Sequence, residues 1–472
     1  MHGRRHPALR DAREARLTVA DIVVLGGGVT GLGLAVFAAR RGHRVTLVER
    51  DGPPPGGGAH TEVADWARRG VPHARQGHAL LGLGIGVLRE ECPEVLAELT
   101  GRGAVPVTLE TGGDDLGLLS RRLVFEAALR RRAAADPAVT LLHDRATGLL
   151  SSGAPHGVPH VHGVRLAEGG DLAADVVLDA TGRRSAAAAW LPAIGGTPPR
   201  ETVQSCGFSY IAQEFALGPG GRFPSLRAPV VHELDFATVL AFPGDNGRFH
   251  LSTTVSSHDP VRTRLLERTV YLRFLASVAP VRDWLDGAAP VGDPMPMAGL
   301  ENRHRSLAVD GAPLVTGFAL VGDACVQTNP TFGRGVSLAL AHARTVADRI
   351  GSLDQAPVDW ARETHQATEE CLGQWFEQQV ATDAARLAEL AGGAPDDSLT
   401  ARVLTALAVL REEDELVRIA AERVYHMLLT PAELMRDRKV ARRVLAFLRE
   451  HPELRREHVG PNRQDFERLV IG

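Results

Sequence analysis

DIVVLGGGVTGLGLAVFAARRGHRVTLVER, residues 21–50, decides the fold. The β-branched run Ile22–Leu25 reads as a strand that meets a turn with Gly26, Gly28 and Gly31 in G-x-G-x-x-G spacing. Leu32–Ala39 reads as an apolar helix, and Val45–Val48 as a second strand ending in Glu49. Each part has a mechanical role. The first glycine makes the tight turn, the second lets the backbone approach a pyrophosphate, and the third lets helix and strand pack closely. Free N–H groups at the helix start face the phosphates. Glu49, 18 residues past Gly31, stands where an acid accepts ribose hydroxyls. The pattern predicts a bound dinucleotide without saying which one.

A rival reading exists for the same stretch. No charged residue lies between Ile22 and Ala39, and Arg4, Arg5, Arg10, Arg13 and Arg16 precede the run, as in a signal peptide or a membrane span. Three consecutive glycines weaken a spanning helix, and a following strand that ends in an acid has no place in a signal. The dinucleotide reading is preferred.

A chain of 472 residues predicts two to three domains. Hydrophobic content of 44% and charged content of 23% suit a globular protein in water. A net charge of −4 gives no case for nucleic-acid binding. Cys92, Cys206, Cys325 and Cys371 lie far apart, without zinc spacing, so reduced thiols in a cytoplasmic protein are expected. No other segment is long and apolar enough to span a membrane, and residues 1–18 read as a charged lead-in.

Outward from the opening motif, 51–58 reads as a loop, 70–81 as turn-like, and the residues around Ile85, Leu88 and Leu96 as helical with a break at Pro93. Residues 120–135 read as a basic amphipathic helix capped by Ser120. Val139–His143 reads as a strand, 144–178 as a β-meander, and 172–182 as a buried strand running into a glycine turn. From about 203 to 298 the pattern becomes alternating and antiparallel, with a helical insert near 258–286. Residues 313–350 return to strand, glycine loop and helix, and the chain is helical from 354 onward. The expected fold class is α/β, a Rossmann-type domain with an inserted, mostly antiparallel β-sheet domain and a C-terminal helical region. The expected boundaries are 19–200 and 300–350 for the dinucleotide domain, 201–299 for the insert and 351–472 for the helices.

A second glycine turn stands at Gly322-Asp323-Ala324, followed by Pro330, Gly333 and Gly335. It predicts another helix N-terminus able to hold an electron-rich group, with Asp323 able to accept from a polyol. Taken with GGGVTG and Glu49, Arg122 in RRLVFEAALR, and DATGRRS (179–185), the segment GDACVQTNPTFGRG (322–335) completes an ordered set over roughly residues 20–350. In order and spacing the set resembles the p-hydroxybenzoate hydroxylase-like FAD-dependent monooxygenases. RGVPHARQGHALL (69–81) and NPTFGRG look like the branch with squalene-epoxidase-like and polyether-type epoxidases of secondary metabolism.

The resemblance implies roles. Gly26, Gly28, Val29, Thr30 and Gly31 would hold the FAD pyrophosphate, with Arg122 reaching it; Glu49 and Arg50 would take the adenosine ribose end. Gly322 and Asp323 would bind the ribitol. Pro330, Gly333, Arg334, Gly335 and Val336 would flank the isoalloxazine, with helix N–H groups at its N1–O2 edge. Asp179, Gly182 and Arg183 match the family's D-G motif. Here Ala180 follows Asp179 and Gly182 comes two positions later, which leaves a nicotinamide contact unassigned. Arg75 and His78 would come near the flavin, and Tyr210, Phe242 and Pro243 on the inserted sheet are pocket candidates.

Blander readings compete at several positions. DATG alone is an ordinary turn, and Arg122 alone a solvated basic face beside Arg121, Arg130, Arg131 and Arg132. His156, His160 and His162 read as a hairpin tip rather than a metal site, since no acid or cysteine joins them. Cys325 reads as a small loop residue. Leu404, Leu407, Leu410, Val417 and Ile419 in the tail read as core or a homodimer face rather than a lid.

The activity implied is NAD(P)H- and O2-dependent hydroxylation or epoxidation of a small organic substrate through a flavin C4a-hydroperoxide, with no catalytic side chain legible and no metal expected. The alternatives are a halogenase-like enzyme fed by a separate flavin reductase, a flavin reductase or desaturase, and a non-enzymatic flavin-binding protein. The W-x-W-x-I-P signature of flavin-dependent halogenases is absent.

Overall fold

The computed structural model describes residues 19–471 other than 56–65, 72–73, 75, 109–115, 155–156, 225–229, 353–355, 394–397, 455–457 and 459. Its centre is a five-stranded parallel sheet in the spatial order Phe318–Leu320, Val176–Asp179, Asp21–Leu25, Arg44–Glu49, Val139–His143. The first strand shows why the apolar run has no polar alternation. Ile22 and Val24 pack against helices Val29–Arg40, Arg122–Ala134 and Gly335–Ala347. Val23 and Leu25 pack against Leu149, Val161, Val164 and Leu166 of an antiparallel meander on the other face. Both faces are covered, so both are apolar. The opening run is therefore a central strand and not a span. No described helix is long and apolar enough to cross a membrane.

The inserted domain is a second five-stranded sheet, Val230–Glu233, Ala237–Pro243, Arg248–Ser256, Phe208–Leu217, Ala288–Met297, antiparallel throughout. Its period-2 alternation divides two faces. Ile211, Phe215, Phe249 and Leu251 join Tyr271, Phe274 and Trp284 of the insert helices in one core. The intervening residues turn toward the dinucleotide domain. A three-stranded sheet, Arg200–Ser205, Glu301–Ser306, Val326–Gln327, links the inserted sheet to the parallel-sheet layer.

The tail does three separate jobs. Helix Gln374–Leu390 lies on the dinucleotide domain, burying Trp375 and Phe376. Helices Leu399–Leu410, Glu415–Tyr425 and Arg438–Glu450 enclose a small core of their own around Val403, Leu407, Val417 and Val444, with Leu404 and Leu410 packed against it. The side chains of Ser398, Asp414 and Asp437 cap these three helices. The last helix returns to the insert, where Phe466 packs 5.4 Å from both Phe236 and Phe274.

Local expectations need correction in three places. Residues 77–81, expected as a turn, form a strand paired with Gly117–Arg121. Ser120 belongs to that partner strand and caps nothing; the helix starts at Arg122 with Arg121 as its uncapped N-cap. Its first turns are buried on all sides, at Leu123, Val124, Phe125 and Glu126, so it is not amphipathic there. His160 is no exposed tip, since its Nδ1 pairs with Thr316 Oγ1 at 2.9 Å; His156 lies outside the described residues.

Candidate flavin site

Glycines bring the three motifs together. Gly26 has φ +96°, and a Cβ there would fall 2.7 Å from Ala180 O, so the first turn lies directly on the DATG turn. Gly322 has φ +63°, and a Cβ there would fall 2.5 Å from Thr30 Oγ1, so the second motif lies on the first helix. At Gly31 a Cβ would fall 1.8 Å from Gly26 O, which is the close packing its spacing predicts.

These contacts frame one cavity of about 710 Å³ between the parallel sheet and the inserted sheet. Gly26, Gly28, Val29, Thr30, Glu49, Arg50 and Arg122 line one end. Gly182, Asp323, Pro330, Gly333, Gly335 and Val336 line the middle. His78, Tyr210 and Phe242 line the remainder, toward the insert.

The donor chemistry fits an anionic dinucleotide. Helix Val29–Arg40 has Gly28 as N-cap with no side-chain cap bond, so its first N–H groups are left for a ligand. The Arg122 guanidinium stands across from them, 3.7 Å from where a Gly28 Cβ would lie. It is held there by Glu126, which accepts from Arg122 Nε at 2.7 Å. The Asp323 carboxyl accepts no hydrogen bond from the described residues. Burial raises its pKa above the usual carboxylate range, against the opposing fields of Arg122 and Arg183. A polyol hydroxyl would satisfy it.

Glu49 is already engaged. Its Oε2 accepts from Gly27 N–H at 2.6 Å and its Oε1 from Asp51 N–H at 2.8 Å, which sets the carboxylate at the mouth of the glycine turn. Arg68, missed by the sequence reading, organises this end. Its buried guanidinium lies 3.1 Å from Glu126, 3.2 Å from Glu49 and 3.4 Å from Asp51, and donates to Gly27 O. No local pattern distinguishes it from Arg69 beside it.

Several sequence candidates stand elsewhere. Asp179 is fully buried and does not line the cavity; it accepts from Thr181 N–H and Oγ1 and from Ser185 Oγ, so it closes the DATG turn. Arg334 also points away, stacked between Phe332 and Trp375 at 5.0 Å from each ring, with Nη1 donating to Gln378. Burial pushes its pKa down to about 10. Gly31, Gly322 and Pro243 support the walls without lining them. Arg75 lies outside the described residues. Cys325 is buried with Sγ donating to Arg305 O. Among the described residues no cluster of His, Cys, Asp or Glu could hold a metal ion.

A buried network behind the cavity was equally illegible. Asp383, on helix Gln374–Leu390, accepts from Asn302 (2.7 Å), Asn329 (2.8 Å) and Gln379 (2.9 Å). Asn329 N–H donates to Asn302 Oδ1, and Asn329 Oδ1 accepts from Tyr210 OH. The tail thus holds the loop that presents Pro330 to the cavity. His342 does similar work for the second motif: its Nδ1 accepts from Gly322 N–H at 3.0 Å and its Nε2 pairs with Thr368.

Residues 21–122, which hold the first glycine turn and Arg122, match the family described as DAO, FAD dependent oxidoreductase. No curated protein matches the chain in sequence. Among solved structures, the flavin-dependent brominase Bmp2 is similar at TM-score 0.59 and 15% identity, over 92% of this chain and 99% of that one. PqsL of Pseudomonas aeruginosa, a probable FAD-dependent monooxygenase, is similar at TM-score 0.52 and 20% identity, over 79% and 96%. A point mutant of 2-methyl-3-hydroxypyridine-5-carboxylic acid oxygenase is similar at TM-score 0.54 and 18% identity, over 79% and 93%. At these identities the likeness is one of fold.

Proposed function

We propose that the chain is an FAD-dependent monooxygenase that uses NADPH or NADH and O2 to hydroxylate or epoxidise a small organic substrate. The observation that carries this reading is the single cavity joining both dinucleotide motifs to the inner face of the inserted sheet. When bound, FAD supplies the redox chemistry, accepting reducing equivalents and activating O2. The chain's own residues bind and exclude water. The amides that follow Gly28 and the Arg122 guanidinium would hold the pyrophosphate, Glu49 the ribose, and Asp323 the ribitol. The start of helix Gly335–Ala347 would offer amide dipoles to an electron-rich group bound there. The wall of Tyr210, Leu240 and Phe242 shields the reacting face and positions the substrate.

The test is an anaerobic visible titration of the flavin-loaded protein with NADPH and then NADH, followed by air. Bleaching, then recovery with peroxide release, is the expected result. Bound flavin that neither nucleotide bleaches, with or without candidate substrates, would refute self-sufficient reduction. It would favour the second reading, an enzyme fed by a separate reductase. That reading draws on the brominase, whose similarity extends over more of this chain than that of the two oxygenases.

A further inference from the structure

The inner face of the inserted sheet holds a buried polar atom that the described residues leave unpaired. His250, on strand Arg248–Ser256, is 3% exposed and lines the cavity. Gly77 N–H donates to its Nδ1 at 3.2 Å, which makes Nδ1 the acceptor and places the ring proton on Nε2. Nε2 has no hydrogen-bond partner among the described residues. Burial first, then the positive fields of Arg121 and Arg248, push the pKa of His250 down to about 4. The ring is therefore a neutral donor of fixed tautomer at neutral pH. Two residues along the same face stands Ser252, whose hydroxyl bonds to none of the described residues. Alternate side chains on a strand stand about 7 Å apart, so the two groups can read one or two acceptors of a single molecule.

Their surroundings limit what that molecule can be. Ala212, Leu240, Phe242 and Met297 line the cavity with the pair, and among the described residues none that the insert contributes to the wall is charged. The described lining arginines and acids belong to the dinucleotide domain. A carboxylate placed against the insert would lose its hydration, and the nearby Arg121 and Arg248 lie outside the described cavity wall and are already paired with Asp245 and Glu214. A buried N–H left without an acceptor is costly, and a ligand oxygen would remove that cost.

We infer that the inserted-sheet end of the cavity takes a neutral, largely apolar molecule carrying an oxygen acceptor, recognised by the Nε2–H of His250 and the hydroxyl of Ser252. The inference rests on the proposed function in treating this end as the substrate end. It adds the substrate class and the two residues that read it.

Isothermal titration calorimetry on the full chain with FAD added tests it, using 1-tetralone, naphthalene and 1-naphthoate as probes. The ketone is expected to bind, with the carboxylate weaker by about tenfold or more. His250→Phe is expected to weaken 1-tetralone about tenfold and to leave naphthalene within about twofold. His250→Gln, which keeps a donor, is expected to recover most of that loss. Ser252→Ala, a smaller change on the same strand, is expected to cost about threefold. Three outcomes would overturn the inference: 1-naphthoate binding as tightly as 1-tetralone, no binding of 1-tetralone, or 1-tetralone affinity unmoved by both His250→Phe and Ser252→Ala. Calorimetry reads probe binding with or without the cofactor. A chain that binds no FAD would therefore refute the flavin reading while the probe series still decides this one.

Discussion

Removing the Asp383 carboxylate should unlock the loop at the cavity from behind. In Asp383→Ala the side-chain amides of Asn302, Asn329 and Gln379 lose their shared acceptor. All three residues are buried, at 1%, 2% and 1% exposure, so water cannot readily replace it. An unsatisfied buried donor costs about 1–3 kcal/mol. The sum is offset because burial itself raises the Asp383 pKa, which means the charged carboxylate is held at a cost. A net loss of about 3 kcal/mol is expected. Asp383→Asn keeps the shape but turns an NH2 toward other donors, and about 2 kcal/mol is expected. Urea unfolding followed by tryptophan fluorescence reads the loss directly, because Trp375 lies on the same helix. FAD affinity should fall about tenfold in both variants, since Asn329 precedes cavity-lining Pro330. Unfolding free energies within about 0.5 kcal/mol of the parent, with FAD affinity unchanged, would refute the clamp.

Gly31→Ala should abolish FAD binding, measured by flavin fluorescence, because its methyl would fall 1.8 Å from Gly26 O. Retention of parental affinity would mean the glycine turn is not the phosphate cradle. Arg68→Met should destabilise the protein by about 3–5 kcal/mol in the same urea assay, because Glu49, Asp51 and Glu126 lose their shared cation. A parental unfolding curve would show that the three carboxylates do not depend on it. Stability should fall as pH drops from about 6.5 toward 4. Burial, first among the causes, pushes His78 and His342 down to about 3, and His250 and His426 to about 4. In that window the unfolded chain binds more protons, so stability is complete above the unfolded pKa and is lost below it. Each such histidine adds up to about 1.4 kcal/mol per pH unit. A urea midpoint at pH 5 equal to or above that at pH 7 would contradict this.

What the sequence by itself determined is periodic and local. The run Ile22–Leu25, the glycine spacing after it and the acid ending the second strand specify strand, turn, helix and strand through backbone geometry that only certain residues allow. The same holds for the alternation in 208–256 and for the turn at Asn246-Gly247, where both residues adopt positive φ. The tertiary structure decided which polar side chains face the cavity, because that depends on partners far away in the chain. Asp179 looks like a ligand in DATGRRS, yet Thr181 and Ser185 take its oxygens. Arg334 sits inside the most glycine-rich part of the second motif, yet Trp375, 41 residues on, draws it away. Arg68, Asp383 and His250 carry no local signature, since each acquires its role from groups brought together only by packing. Gly77 lies 173 residues before the histidine it orients. Hydrogen-bond satisfaction in a buried site is settled by three-dimensional proximity, and no short window of sequence contains it.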